Sequence, residues 1–283
     1  IEDNIFTRIG DDGACPYFWP IGNRHILLFY SHMSGGQYIL GSYDTDKQKF
    51  SAEKHGLFNF GASLPSGVHA PSAAPCEDGS VIVIFNMNAG KECEGWDQIM
   101  TLPRKLSLAP NGDLQIAPAG DIHSLRGEHI TINRQLIKHN EELRIPEIFS
   151  NCCELDFKIL IRDCSLFAID LLCSSDRSEY TRLCFFPYRG FNDRFRTSQL
   201  ATTTNANITT SKGNQSILSI DSSNSSIHPD VLIRPPECAP FDLDLSGILD
   251  VKMFIDRSVV EVFIRNQQCL AVRVYPSLED SKG

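Results

Sequence analysis

The sequence predicts an all-β protein, and three observations carry this prediction. Apolar and β-branched runs of four to eight residues recur from end to end, for example at residues 25–30, 81–87 and 167–173. Turn-forming pairs such as Asp78-Gly79 and Asn111-Gly112 separate these runs, and the second pair predicts a hairpin. Helical periodicity nowhere persists beyond about two turns.

The chain is predicted to divide into two β domains. Residues 1–126 carry short strands separated by loops with glycine and proline, which is typical of propeller blades. Residues 127–147 form a predicted linker. Residues 148–283 alternate more regularly, as in a β-sandwich, and the clearest meander covers residues 250–276.

Composition excludes several classes of function. A formal charge of -9 and a pI near 5.4 argue against nucleic acid as a partner. No apolar run reaches about 18 residues, so no membrane span is expected. The ten cysteines contain no CxxC pair, and neither a metal site nor a cofactor is predicted. A neutral partner such as a carbohydrate fits better. The chain begins at Ile1 without a targeting segment, so it is expected to be a fragment or a processed product of undetermined localisation.

The stretch GDDGACPYFWPIG, residues 10–22, combines two carboxylates with three aromatic side chains. Aromatic rings pack against the C–H faces of sugars, and carboxyl groups exchange protons at glycosidic bonds. This combination is typical of a sugar site.

Three stretches resemble glycoside hydrolase family 32, the invertase, inulinase and levanase family. MFIDRSVVEVFIRNQQCLAVRVYP is similar to its C-terminal sandwich, and GWDQIMTLPRKLSLAPNGDLQIAPAGDIHSLR to its last propeller blade. ACPYFWPIGNRHILLF resembles its Glu-Cys-Pro-Asp-Phe-Phe-Pro block. The resemblance follows the family order, spans most of the chain and points to a divergent branch.

The resemblance implies a five-bladed propeller joined to a sandwich, and retaining hydrolysis of β-fructofuranosides by two carboxylates roughly 5–5.5 Å apart. The family's Asn-Asp-Pro-Asn-Gly and Arg-Asp-Pro blocks are absent from the 283 residues. The chain is therefore expected to hold about the last three blades. A missing N-terminal propeller segment or a second chain would then complete the ring and supply the nucleophile, because open blades leave unpaired edges.

The family's acid/base glutamate corresponds to Ala14, which cannot transfer a proton. Three explanations fit: a shifted aspartate, a lost activity with sugar binding retained, or an engineered substitution. Asp12 is the candidate acid/base, with Asp11 beside it as a sugar contact, and the neighbouring aromatics are predicted to raise the pKa of Asp12. The alternative for both aspartates is an ordinary acidic turn.

The other predicted sugar contacts are Trp19, His69, Asn86, Asn88 and Trp96. His69 lies in Gly67-Val68-His69-Ala70-Pro71, which replaces the family's Asp-Phe-Tyr-Ala-Pro block, and the two amides are expected where a blade strand reaches the channel. Their alternatives are structural: a hydrogen-bonded loop histidine, strand-end caps, core packing for Trp19 and a cover over the domain junction for Trp96.

Two further charges are predicted to be structural. Arg104 is expected in an ion pair between blades, and Glu261 is expected to be neutralised by Arg257 or Arg273. Two functions remain open for the chain as a whole: a fructofuranoside hydrolase, and a catalytically inactive carbohydrate-binding protein on the same scaffold.

Overall fold

The computed structural model describes residues 10–32, 35–58, 65–161, 164–187, 215–244 and 246–283. Strands dominate these ranges, and the only helical element in them is a 3₁₀ turn at Ile122–Leu125. Four antiparallel sheets, each with four or five strands as in a propeller blade, make up the described chain. The all-β prediction is confirmed. No helix within these ranges is both long enough and apolar enough to cross a bilayer.

The first sheet is a simple meander in which each strand pairs with the next along the chain. Its strands are β1 Ala14–Ile21, β2 Arg24–Ser31, β3 Gly35–Asp44 and β4 Lys49–Leu57. Gly22 adopts a positive φ of 54° in the two-residue turn that joins β1 to β2, a conformation that glycine adopts without steric cost. The last strand, β4, forms one edge of the sheet.

The second sheet has the order β5-β6-β8-β9, with the short β7 also paired to β6. Its strands are β5 Val68–Pro75, β6 Val81–Met87, β7 Ile99–Met100, β8 Arg104–Leu108 and β9 Leu114–Pro118. The predicted Asn111-Gly112 hairpin joins β8 to β9, so that prediction is confirmed.

The first two sheets share an apolar core. Its fully buried contributors include Ile21, Ile26, Leu28 and Leu40 from the first sheet and Val81, Val83, Phe85 and Leu106 from the second. Each such side chain contributes roughly 1.5–3 kcal/mol by leaving water. This core fixes the two sheets against each other, so strand ends from both meet at one place.

The described residues before the linker supply two sheets, whereas the sequence predicted about three blades. Residues 1–9 lie outside the described ranges. Between residues 126 and 151 the structure has no strand and the chain is mostly exposed. The division at residues 126, 127–147 and 148 stays a prediction.

Two C-terminal sheets enclose a second apolar core. One has the order β10-β15-β16-β17 and the other β11-β12-β13-β14. The strands of the first are β10 Cys152–Leu160, β15 Ile248–Asp256, β16 Val259–Ile264 and β17 Gln268–Arg273. Those of the second are β11 Phe167–Leu171, β12 Thr181–Phe186, β13 Gln215–Asp221 and β14 Glu237–Asp242. The meander predicted for residues 250–276 is confirmed.

Strands β16 and β17 are buried on both faces. Val260 and Val262 enter the C-terminal core, while Val259, Phe263 and Ala271 join the core of the first two sheets. A backbone hydrogen bond of 2.7 Å from Ile116 N–H to Asn266 O crosses the same junction.

Glu261 lies at this junction and pairs with Arg104, which corrects the predicted partners Arg257 and Arg273. An Arg104 Nη2 group donates to Glu261 Oε2 over 3.2 Å, and Leu102 N–H donates to Oε1 over 2.6 Å. Arg104 is therefore in an ion pair as expected, but its partner is in the C-terminal sheets and not in another blade. The alternation of β16 explains this, because Glu261 points away from the core that Val260 and Val262 enter.

A buried carboxylate holds the end of the chain. Glu179 is fully buried and accepts backbone N–H groups of Ile227, Ser277 and Leu278 and the hydroxyls of Ser277 and Ser281. Burial raises the pKa of this carboxyl, but the serine hydroxyls and backbone donors outweigh burial and lower the pKa to about 2. The ionised form is therefore the one that the fold stabilises.

The lowered pKa of Glu179 predicts a pH-dependent contribution to stability. The contribution is present above the unfolded pKa of about 4.5 and is lost as the pH falls through about 2. We expect Glu179→Gln to lower the free energy of unfolding by about 3 kcal/mol at pH 7, and by progressively less toward pH 2. Urea unfolding at several pH values measures this, with the exposed Glu279→Gln as control. A destabilisation that does not change with pH would contradict the assignment.

Candidate functional site

The pairing of β1 with β2 places Asp12 beside His32. Ala14 is the Cα partner of Tyr30, so two residues further out Asp12 stands opposite His32. His32 N–H donates to Asp12 Oδ1 over 3.0 Å, and His32 Nδ1 lies 2.5 Å from Oδ2. Both side chains remain largely exposed, at 45% for Asp12 and 68% for His32. The carboxylate is thus fixed and accessible.

Hydrogen bonding with His32 lowers the pKa of Asp12. This is opposite to the rise expected from the neighbouring aromatic side chains. Trp19 and Tyr17 pack against the core between the sheets and not around the carboxylate. Burial therefore makes only a minor contribution that raises the pKa of Asp12, and hydrogen bonding with His32 outweighs it.

The second sheet contributes His69 and Asn86, which are Cα partners on β5 and β6. Asn86 Nδ2 lies 3.2 Å from His69 Nε2 and also donates to Gln98 Oε1. Nδ1 of His69 is buried and has no hydrogen-bond partner among the described residues. Burial, together with the nearby His32, lowers the pKa of His69, so its neutral form is favoured.

Tyr30 lies between His32 of the first sheet's hairpin and His69 of the second sheet. Its ring centroid lies 5.4 Å from that of His32 and 6.2 Å from that of His69. We call Asp12, Tyr30, His32, His69 and Asn86 the strand-end cluster. It offers one carboxylate, two imidazoles, a phenol and an amide, which are groups that bind sugar hydroxyls and exchange protons.

The cluster brings together three of the seven predicted site residues: Asp12, His69 and Asn86. Asp11 is half-buried directly before Asp12. The described contacts place the other three elsewhere. Trp19 packs into the core, and Asn88 is buried with its backbone N–H donating to Gly67 O over 2.8 Å.

Trp96 lies at the junction with the C-terminal sheets. The guanidinium of Arg273 is 5.3 Å from its ring centroid, and the same guanidinium donates to Asp97 O over 2.6 Å. The ring nevertheless remains 52% exposed. This position fits the alternative that Trp96 covers the junction, and it leaves one side of the ring accessible.

Sequence reasoning did not identify Tyr30, His32 or Gln98. Tyr30 is near the end of β2 and His32 directly follows that strand, beside the start of β1. That position was the available signal, because residues at the paired ends of a hairpin become neighbours.

A separate cavity of about 440 Å³ lies among the C-terminal strands and shares no residue with the cluster. Its lining includes Asp244, Asp250, Lys252 and Arg265. We place the candidate site at the cluster, because it contains Asp12, the candidate acid/base from the stretch at residues 10–22. The cavity walls instead carry surface ion pairs such as Arg265–Asp244. In the described ranges, no group of three or more metal-ligating side chains occurs.

The sequence matches a known family model over its C-terminal part. The model, described as Glycosyl hydrolases family 32 C terminal, covers residues 121–283. This range includes the predicted linker and both C-terminal sheets, and it is more than half of the 283 residues.

Over the matched stretches, curated relatives are about a quarter identical to the chain. "Beta-fructofuranosidase, cell wall isozyme" from Zea mays is 26% identical, and the match covers 95% of this chain and 52% of the relative. "Beta-fructofuranosidase, insoluble isoenzyme 2" from Daucus carota is 28% identical over 65% of this chain and 33% of the relative. The chain spans about half, or less, of the length of these relatives.

Solved structures show the same fold. Fructan 1-exohydrolase IIa from Cichorium intybus, in complex with 1-kestose, superposes with a TM-score of 0.74 at 15% identity, over 94% of this chain and 56% of that one. Exo-inulinase from Aspergillus awamori gives a TM-score of 0.65 at 17% identity, over 96% of this chain and 53% of that one. At these identities the likeness establishes the fold alone.

Proposed function

Because the chain belongs to glycoside hydrolase family 32, we propose that it forms part of an enzyme that hydrolyses β-fructofuranosides of the sucrose, inulin or levan type. The observation that carries the proposal is the strand-end cluster. The block that resembles the family's acid/base motif and the one that resembles its sugar-binding motif meet there, through Asp12 and His69.

The proposed reaction is retaining hydrolysis by two carboxylates. Asp12, with Asp11 beside it, is assigned to the acid/base side of the site, where it is hydrogen-bonded to His32. His69 and Asn86 are assigned to the fructosyl hydroxyls, since an imidazole and an amide offer both donors and acceptors. Trp19, Asn88 and Trp96 remain predicted sugar contacts that this assignment does not require. The nucleophile is proposed to come from a segment outside this chain.

We further infer that a propeller segment, from the same polypeptide or a second chain, covers the outer face of the first sheet and completes five blades. That face carries an aromatic cluster in which Phe18 lies 5.2 Å from His25, 5.3 Å from Tyr43 and 5.1 Å from Phe50. Phe18 alternates with Trp19, so its ring points away from the core and stays 37% exposed. An aromatic sheet face of this kind fits packing against another blade. The two C-terminal sheets correspond to the proposed β-sandwich.

One observation favours a second candidate function. Ala14 occupies the position of the family's acid/base glutamate, and a methyl group transfers no proton. On this alternative the chain is a catalytically inactive carbohydrate-binding protein. The same cluster would then bind fructosyl groups without cleaving them.

Fructose release distinguishes the two functions. We define the completed protein as this chain together with the proposed complementary propeller segment. The completed protein is expected to release fructose from sucrose, 1-kestose, inulin or levan, as measured by a reducing-sugar assay. Binding of 1-kestose without release would establish the binding alternative. A completed protein that neither binds 1-kestose nor releases fructose would overturn both functions.

A further inference from the structure

We propose that His32, held in position by Asp12, is the group that carries the proton in this site. The inference rests on the proposed function and deepens it, since it names the residue that replaces the missing glutamate. Three observations lead to it: the register of β1 and β2, the two hydrogen bonds to Asp12, and the exposure of the imidazole.

The first observation is position. Ala14 and Tyr30 share one face of the sheet as cross-strand partners, and just beyond them Asp12 and His32 are joined by two hydrogen bonds. This face is directed at His69, because the Tyr30 ring lies within 6.2 Å of the His69 ring. Ala14 carries only a methyl group at the position that corresponds to the family's glutamate, and its cross-strand partner Tyr30 stands two residues before His32.

The second observation is orientation. Asp12 engages both the backbone N–H and Nδ1 of His32. An ionised carboxylate only accepts hydrogen bonds, so Nδ1 carries a hydrogen and Nε2 is left to gain and lose the exchangeable proton. No partner of Nε2 is found in the described part of the chain. An aspartate that orients a histidine through Nδ1 also stabilises the imidazolium that forms during proton transfer.

The third observation is the exposure of the imidazole. Among the described residues, the other titratable groups that face His32 are Asp12, Tyr30 and His69. Asp12 is kept ionised by His32 and cannot serve as an acid near neutral pH. Burial keeps His69 neutral, and Tyr30 is only 1% exposed. His32, at 68% exposure, is the accessible imidazole of the strand-end cluster.

As the C2–O bond of the fructoside breaks, its electron pair stays on the leaving oxygen, which takes the proton from Nε2 of protonated His32. C2 is captured by the carboxylate nucleophile supplied outside this chain. In the second half, neutral Nε2 takes a proton from water while the water oxygen bonds to C2 and the carboxylate leaves. One glycosidic bond and one water molecule are consumed, and His32 returns to its protonated form.

The test is His32→Gln in the completed protein, with 1-kestose as the probe. We expect kcat to fall by about 10²–10⁴-fold, because general acid–base catalysis is lost, while the calorimetric Kd for 1-kestose and the thermal midpoint stay close to those of the unsubstituted protein. The limb of the kcat–pH profile that reports the essential acid should disappear. Adding Ala14→Glu to His32→Gln should recover part of the turnover, since it returns a carboxyl to the family position.

His228→Gln serves as the matched control, because this histidine lies in the C-terminal part and contacts Asp230. It should leave turnover unchanged. Unchanged turnover in His32→Gln would overturn the inference while leaving the proposed hydrolysis intact. An unsubstituted completed protein that binds 1-kestose but releases no fructose would overturn both.

Discussion

Arg104→Met is expected to destabilise the protein by about 3–5 kcal/mol, because it leaves the carboxylate of Glu261 buried without its counter-charge. The side chains of Arg104 and Glu261 are 0% and 2% exposed, and they meet at the junction between the second sheet and the C-terminal sheets. Burial already raises the pKa of Glu261, and Arg104 and Leu102 N–H oppose that rise. The loss is measured by urea unfolding at pH 7.

The neighbouring residue provides a matched control. Lys105 pairs with Asp78 at the surface, where both side chains are about half exposed, so Lys105→Met should cost far less stability than Arg104→Met. A double variant, Arg104→Met with Glu261→Leu, should recover most of the loss, because no unpaired charge remains. A cost for Arg104→Met as small as that for Lys105→Met would show that water reaches the pair and that the junction is open.

Asp12→Asn is expected to lower kcat on sucrose or 1-kestose by about 10²–10⁴-fold in the completed protein, with a much smaller change in sugar affinity. The amide keeps the shape of the side chain and still accepts the backbone N–H of His32. It removes the negative charge that orients His32 Nδ1 and balances an imidazolium. Steady-state kinetics with fructose release as the readout measures the change.

Asp46→Asn is the control, because Asp46 is an exposed turn residue between β3 and β4. It should leave kcat unchanged. An unaltered kcat in Asp12→Asn would assign Asp12 to an ordinary acidic turn, which was its alternative interpretation from the sequence.

Local features of the fold could be predicted from the sequence. The hairpin at Asn111-Gly112 and the meander of β15, β16 and β17 follow from alternation and turn chemistry, which act over a few residues. The partner of Glu261 could not be predicted this way, because Arg104 is 157 positions distant along the chain. The prediction named arginines close to Glu261 in sequence, whereas in the fold its partner comes from the second sheet.

The register of β1 and β2 at the candidate site shows a second limit of prediction from sequence. The turn at Gly22 sets a register in which Ile21 pairs with Arg24 and Tyr17 with Leu28. Extended without change, that register would not place Asp12 opposite His32. An irregularity between Ala14 and Tyr17, where Cys15 adopts a φ of 49°, shifts the pairing by one residue. Such a bulge depends on the surrounding packing, so the motif residues were found and the neighbouring histidine was missed.

The measurement that tests the central claim most directly is a crystal structure of the completed protein with fructose bound. The account predicts the sugar at the strand-end cluster, within hydrogen-bond distance of Asp12, His69 and Asn86, with His32 Nε2 beside the anomeric oxygen. Fructose in the C-terminal cavity lined by Asp244 and Arg265, with the cluster empty, would contradict it.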